Sequence, residues 1–210
     1  MRNPQCQLCE RCKTATNICL WGRSVDEDKE IMIILDSVSK ETDRTGLLTQ
    51  GQTGQQLLQL LTKMNWVYNV YVTTATKCYS PAKATAKEYK ACRRYLLEEI
   101  ETIKPKLIIC LGTIAANALF GKVIPLKQLR QRFLEIETED HKKIKVACSY
   151  SPAIIFVDPS KFPTLQKDLE WIKSNYKAEE EKFDYVIAIN DKLPESKIYG
   201  FDVESTGLNV

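Results

Sequence analysis

A chain of 210 residues, 44% hydrophobic and 27% charged, has the make-up of a folded globular protein with enough length for one full domain and some excess, which excludes a disordered or fibrous protein. Its formal net charge of +3 is too small to announce a polyanionic partner by itself. No apolar run reaches the roughly 18 to 20 residues that cross a bilayer, and "MRNPQCQLCERC" lacks the apolar stretch of roughly 7 to 15 residues found in a secretory leader, so the reading is a cytoplasmic monomer with no membrane partner.

In chain order the first feature is cysteine. "CQLCERCKTATNIC" holds Cys6, Cys9, Cys12 and Cys19, half of the eight in the chain. Disulfides are rare in a reducing compartment, so these residues read as metal ligands and buried thiols. Next, "EIMIILD" (Glu30 to Asp36) is a short continuous apolar run, as expected of a strand buried on both faces of a parallel sheet. A glycine-punctuated loop, "DRTGLLTQGQTG", leads into "QQLLQLLTKM", which has helical periodicity. "VYNVYVTT" is a strand, "TAKEYKACRRYLLEEIETI" a long amphipathic helix ending before Pro105, "KPKLIICLG" a buried strand and "TIAANALFG" a helix.

Strands alternating with helices predict a three-layer α/β fold: a mostly parallel central sheet with helices on both faces. "RFLEIETEDHKKIKVACSY" follows as two strands around a polar turn, and "PTLQKDLEWIKSNY" as a helix. The charged "KAEEEKFD" marks a domain edge, and "YVIAIN" and "KIYGFDVE" beyond it read as two new strands. We therefore expect a domain over 1–175, a linker over 176–196 and the first strand of another domain over 197–210.

Spacing alone leaves the cysteine partners open. Cys6 and Cys9 form one C-x-x-C, and Cys9 and Cys12 form a second. Cys78 closes a strand and Cys92 lies early in the next helix, so these two sulfurs can meet an amino-terminal C-x-x-C. Cys110 in "LIICLG" and Cys148 in "KVACSY" read as small buried hydrophobes.

"CERCKTATN" and "YVTTATKCYSPAKATAKEYKACRRYLLEEIETIKPKLIICLGTIAANALFG" resemble family 4 uracil-DNA glycosylases over roughly residues 6 to 174. The resemblance implies a uracil-DNA glycosylase-like fold, with Cys6, Cys9, Cys78 and Cys92 holding a [4Fe–4S] cluster. The loop between Cys78 and Cys92 is shorter than in the family. Four places that handle the flipped base in that family differ here. The glycine-glutamate-x-proline-glycine loop aligns with "LDSVS", leaving Asp36 as the acid; the stacking aromatic is Thr49; the asparagine that reads the base edge is Thr74; and the histidine of the histidine-proline motif is Ser151. His141, the only histidine, lies in a polar turn and reads as solvated. Lys83, Lys87, Arg130 and Arg132 are candidate phosphate contacts on DNA.

"KIYGFDVESTGLNV" resembles the first motif of the 3′–5′ proofreading exonuclease domain of DNA polymerases. It places Asp202 and Glu204 on one side of a strand, where a complete exonuclease would hold divalent metal. The expectation is a phage-type DNA polymerase front end, whose partners are DNA and the rest of the polymerase chain. Its glycosylase-like domain would be catalytically degenerate and serve as a DNA-binding or docking module in replication. The alternative is an active uracil or modified-base glycosylase with an altered pocket, in which Asp36 still acts as a base.

Overall fold

The computed structural model describes residues 3–24, 29–66 and 70–176, together with the backbone of 186–188. Asp202 and Glu204 lie outside these residues.

The elements in chain order are β1 (Arg23–Ser24), β2 (Ile31–Ser37), α1 (Lys40–Thr45), α2 (Gln52–Lys63), β3 (Val70–Thr76), α3 (Ala86–Ile103), β4 (Leu107–Leu111), α4 (Thr113–Phe120), α5 (Leu126–Leu129), β5 (Leu134–Glu137), β6 (Lys143–Ser149), α6 (Ile154–Val157), α7 (Phe162–Asn175) and β7 (Val186–Ala188). They form one seven-stranded sheet in the order β1-β3-β2-β4-β6-β5-β7. Strands β3, β2, β4 and β6 are parallel, while β1 and β5 are antiparallel to their neighbours β3 and β6. This is the expected mostly parallel sheet with helices on both sides.

Continuous apolar runs make this arrangement possible because alternate residues must satisfy opposite faces. Ile31, Ile33 and Leu35 pack with Leu57, Leu60 and Leu61 of α2 and Leu165, Leu169 and Ile172 of α7. Met32 and Ile34 face the other way, onto Leu96 and Ile100 of α3 and Ala115 and Leu119 of α4. Each such side chain contributes about 1.5 to 3 kcal/mol on full burial. Helix α3 begins at a capping box between Thr85 and Glu88 and ends at Lys104, left-handed at φ 51°, just before Pro105.

One difference from the sequence reading has a local cause. The loop expected from Asp43 starts instead as the last turn of α1, because the Ser39 hydroxyl accepts the Thr42 N–H at 3.1 Å and Gly46 closes the helix at φ 73°. Strand β7, inside the "YVIAIN" read as a strand from the sequence, pairs in parallel with β5 at the edge of the sheet. Among the described residues no helix is long and apolar enough to cross a membrane.

Candidate functional site

From β2 the chain crosses to β3 on one side and later returns to β4 on the other, so a crevice opens above the carboxyl ends of β2 and β4. Leu35 pairs with Leu111 there, which brings Asp36 and Gly112 side by side. Gly112 has φ 127°, and a Cβ on it would lie 2.2 to 2.3 Å from the Asp36 carboxyl atoms. Glycine is therefore what lets the carboxylate rest on the first turn of α4, where its Oδ1 accepts the Ala115 N–H at 2.8 Å. Burial pushes the Asp36 carboxyl up to about 6, opposed by the Ala115 and Ile114 amides and by the Lys83 ammonium. Such a group is mostly ionised at neutral pH and is still basic enough to take a proton from water.

The other pocket positions singled out in the sequence lie along the same edge. Thr74 stands opposite Leu35 on β3, and its buried hydroxyl has no protein partner; the same is true of Thr76. Thr49 forms the corner before α2, where Gly54 lets the helix press on its backbone: a Cβ on Gly54 would be 2.5 Å from the Thr49 carbonyl carbon. Ser151 lies just beyond β6, its hydroxyl accepting the Ala153 N–H at 3.3 Å. His141 is at the opposite edge of the sheet, in the turn before β6, exposed and 2.6 Å from Glu137. That amino edge also holds a cavity of about 540 Å³. Its Lys104 and Lys142 face Asp140, its Lys143 faces Glu135 and its Lys106 pairs with Glu30, so three carboxylates offset part of the charge of its five lysines.

Of the four candidate phosphate contacts, Lys83, Lys87 and Arg132 are exposed. Arg130 turns inward instead. Its guanidinium grips buried Asp168 through two bonds of 2.6 and 3.0 Å and stands 4.9 Å over the Tyr150 ring, while the Ser149 hydroxyl donates to the same carboxylate at 2.5 Å. The hydrogen bond to Asp168 raises the Arg130 pKa. This cluster ties α7 to the end of β6 and braces the turn that carries Ser151.

The cysteine-rich segment closes over α3. All eight cysteines are free thiols, and Cys6, Cys78 and Cys92 are buried. Burial pushes Cys78 up to about 12 and Cys92 to about 11; Cys9 acts on both, and Cys6 acts on Cys92, in the same direction. Cys12 turns aside, its thiol donating to the Cys9 carbonyl at 3.0 Å. The Cys19 N–H donates to the Cys78 sulfur at 3.3 Å, and the Lys77 backbone opposes the rise at Cys92. Among the described residues no three metal-ligating side chains converge as they would on a single ion. A four-iron cluster takes one thiolate per iron and spaces its ligands more widely, so a largely buried all-thiolate set, with an N–H on the Cys78 sulfur, fits such a cluster.

Several buried charges escaped the sequence reading, three of them beside the cysteines. Arg11 lies between Cys9 and Cys12, 1% exposed, with its guanidinium on the Ala82 carbonyl at 2.8 Å and 3.2 Å from Glu88. Lys77 and Glu99 form a buried ion pair beside the cysteines. The available signal was Glu99 itself, which sits on the Cys92–Leu96–Ile100 stripe of α3, where a solvated carboxylate does not belong.

Comparison with known proteins completes this picture. Residues 23–176 match the model of the uracil DNA glycosylase superfamily. The Type-4 uracil-DNA glycosylase of Archaeoglobus fulgidus is 28% identical over 175 residues, 80% of this chain and 86% of its own. That of Saccharolobus solfataricus is 28% identical over 177 residues, 80% of this chain and 81% of its own. The Type-5 uracil-DNA glycosylase of Pyrobaculum aerophilum is 29% identical over 159 residues, 66% and 69% respectively. Relatives named as glycosylases along most of the chain overturn the expectation of a noncatalytic docking module at the front of a polymerase. The physical reason lies at Asp36: four replaced residues suggested a dead pocket, yet the acid keeps its seat on the α4 amides. The matched span takes in every strand from β1 to β6 and every helix, and the chain belongs to the uracil DNA glycosylase superfamily.

Proposed function

We propose that this chain is a uracil or modified-base DNA glycosylase with an altered pocket, carrying a [4Fe–4S] cluster on Cys6, Cys9, Cys78 and Cys92. The observation that carries the reading is the Asp36 carboxyl, held between Gly112 and the Ala115 amide at the crevice of the sheet. A glycosylase extrudes its base from the stack into such a crevice. Water then bonds to the sugar C1′ as the C1′–N bond breaks and the base departs with the bonding electrons. Asp36 takes the water's proton, and its negative charge opposes the positive charge that develops on the sugar. Thr74 and Thr76 offer hydroxyls to the base, since neither has a protein partner. Lys83, Lys87 and Arg132 are placed to meet phosphates. When bound, the cluster supplies a crosslink between the amino-terminal segment, the end of β3 and α3.

The test is release of base from cluster-loaded protein acting on oligonucleotides that contain one deoxyuridine or one 5-substituted deoxyuridine, single-stranded and paired. Abasic sites should form, and Asp36→Asn should slow their formation by about 100-fold or more. No release from any of these substrates, or an unchanged rate in Asp36→Asn, would overturn the proposal.

A further inference from the structure

A buried ion pair is weak evidence of stability, because desolvation offsets much of the attraction, and its best-attested role is to fix register. Lys77 and Glu99 are 1% and 0% exposed and take no part in the chemistry above. Every oxygen of Glu99 is engaged. Oε1 accepts the Gly22 N–H at 2.6 Å and the Tyr71 hydroxyl at 3.2 Å; Oε2 accepts the Thr73 hydroxyl at 2.6 Å and the Lys77 ammonium. The Lys77 ammonium donates also to Thr73, at 2.6 Å.

The backbone around this pair leads to the thiols. The Lys77 carbonyl accepts the Leu20 N–H at 2.8 Å. The next residue is Cys78, whose sulfur accepts the Cys19 N–H at 3.3 Å. Glu99 lies two turns of α3 beyond Cys92, on the same face of the helix. Three segments therefore meet at one carboxylate: Cys19–Gly22, the end of β3, and α3. Anchoring Glu99 to Lys77 fixes the rotation of α3 about its axis and, with it, the direction in which Cys92 points.

We infer that the Lys77–Glu99 pair is a positioning device for the cluster thiolates, holding Cys78 and Cys92 in register with the amino-terminal cysteines. The inference rests on the cluster reading above and goes beyond it in assigning the pair a role in cluster assembly and retention. Neither residue touches the base, and neither is a catalytic residue.

The double variant Lys77→Met/Glu99→Gln removes both charges together and avoids stranding one. A pair that serves only the fold would leave iron content untouched once the variant is folded. Positioning calls for a variant that melts no lower than the parent in the cluster-free state, yet holds less than half the parent's iron and sulfide per chain and loses its visible absorption faster under a chelator. Tyr71→Phe removes one hydroxyl from Glu99 without unpairing any charge, and should lose cluster at a rate between the parent and the double variant. If the double variant does not fold, Tyr71→Phe decides. A folded variant with full iron, full sulfide and the parent's rate of cluster loss overturns the inference and leaves the proposed function standing. A parent protein without iron and sulfide overturns the cluster reading itself.

Discussion

Asp36 and Gly112 fit together only because Gly112 has no side chain: a methyl group there would fall 2.2 Å from Asp36 Oδ1. Gly112 also has φ 127°, a value that side-chain-bearing residues rarely adopt. Gly112→Ala should therefore cost at least about 1 to 3 kcal/mol from backbone strain alone, and it should push the carboxyl off the Ala115 amide. Thermal denaturation with a parallel excision assay checks this. An alanine variant as stable and as active as the parent would mean that the crevice has another geometry.

Asp36 should make stability depend on pH. Burial raises its carboxyl from the ordinary 3.8 to about 6. Between these values the folded protein holds a proton that the unfolded chain has released, so the contribution is full below the lower value and is lost as pH rises through the upper one. The shift corresponds to about 3 kcal/mol at most. Asp36→Asn keeps an acceptor for Ala115 and cannot ionise, so it should equal or exceed the parent in stability above about pH 6 while excision falls. Denaturant midpoints for both proteins across this range, with the parent's rate expected to rise as Asp36 ionises, form the check. Parallel stability curves would refute it.

The cysteines should separate into two classes. Replacing Cys78 or Cys92 by serine should strip iron and sulfide from the protein and lower its melting temperature. Cys12→Ser should keep both, because the Cys12 thiol is bonded to the Cys9 carbonyl and turned from the set. Metal analysis of the three purified variants decides this, and equal loss in all of them would move Cys12 into the ligand set.

Substitutions at Lys83 and at the carboxylate that holds Arg130 should also divide. Lys83→Ala, on an exposed loop, should weaken DNA binding alike for all sequences and reduce the salt slope by about 1. Asp168→Ala leaves Arg130 without its carboxylate and should cost about 3 kcal/mol of stability. Binding isotherms at several salt concentrations and melting curves distinguish the two effects. A Lys83 variant that matches the parent's slope would remove that residue from the interface.

The parallel framework was legible because it rests on local patterns. "EIMIILD" and "KPKLIICLG" are short, apolar and rich in isoleucine, as doubly buried strands are, and they are neighbours in the sheet. The position of Asp36 was legible as well, but its bond to α4 was not, since it depends on the register of two strands far apart in sequence. Arg130 shows the same limit from the other side. Its letters suit a phosphate contact, and only the arrival of Asp168 from α7 turns it inward. Arg11, Lys77 and Glu99 are charges buried by partners from other segments, which periodicity within one segment does not reveal. Strand β7 was legible as the apolar letters of "YVIAIN", but its pairing with β5 was not, since it joins segments about fifty residues apart.

The bond from the Ala115 N–H to Asp36 spans 79 residues of chain. At a synthesis rate of about 5 to 20 residues per second, Asp36 leaves the ribosome about 4 to 16 s before the amide that will hold it. During that interval β2 can pair with β3 but has no β4 beside it, so an apolar strand edge from Ile31 to Leu35 stands open in the nascent chain. The strand that completes the crevice also covers this apolar edge, so slowing translation between Thr76 and Leu107 should lower the yield of soluble protein more than slowing it after Leu111.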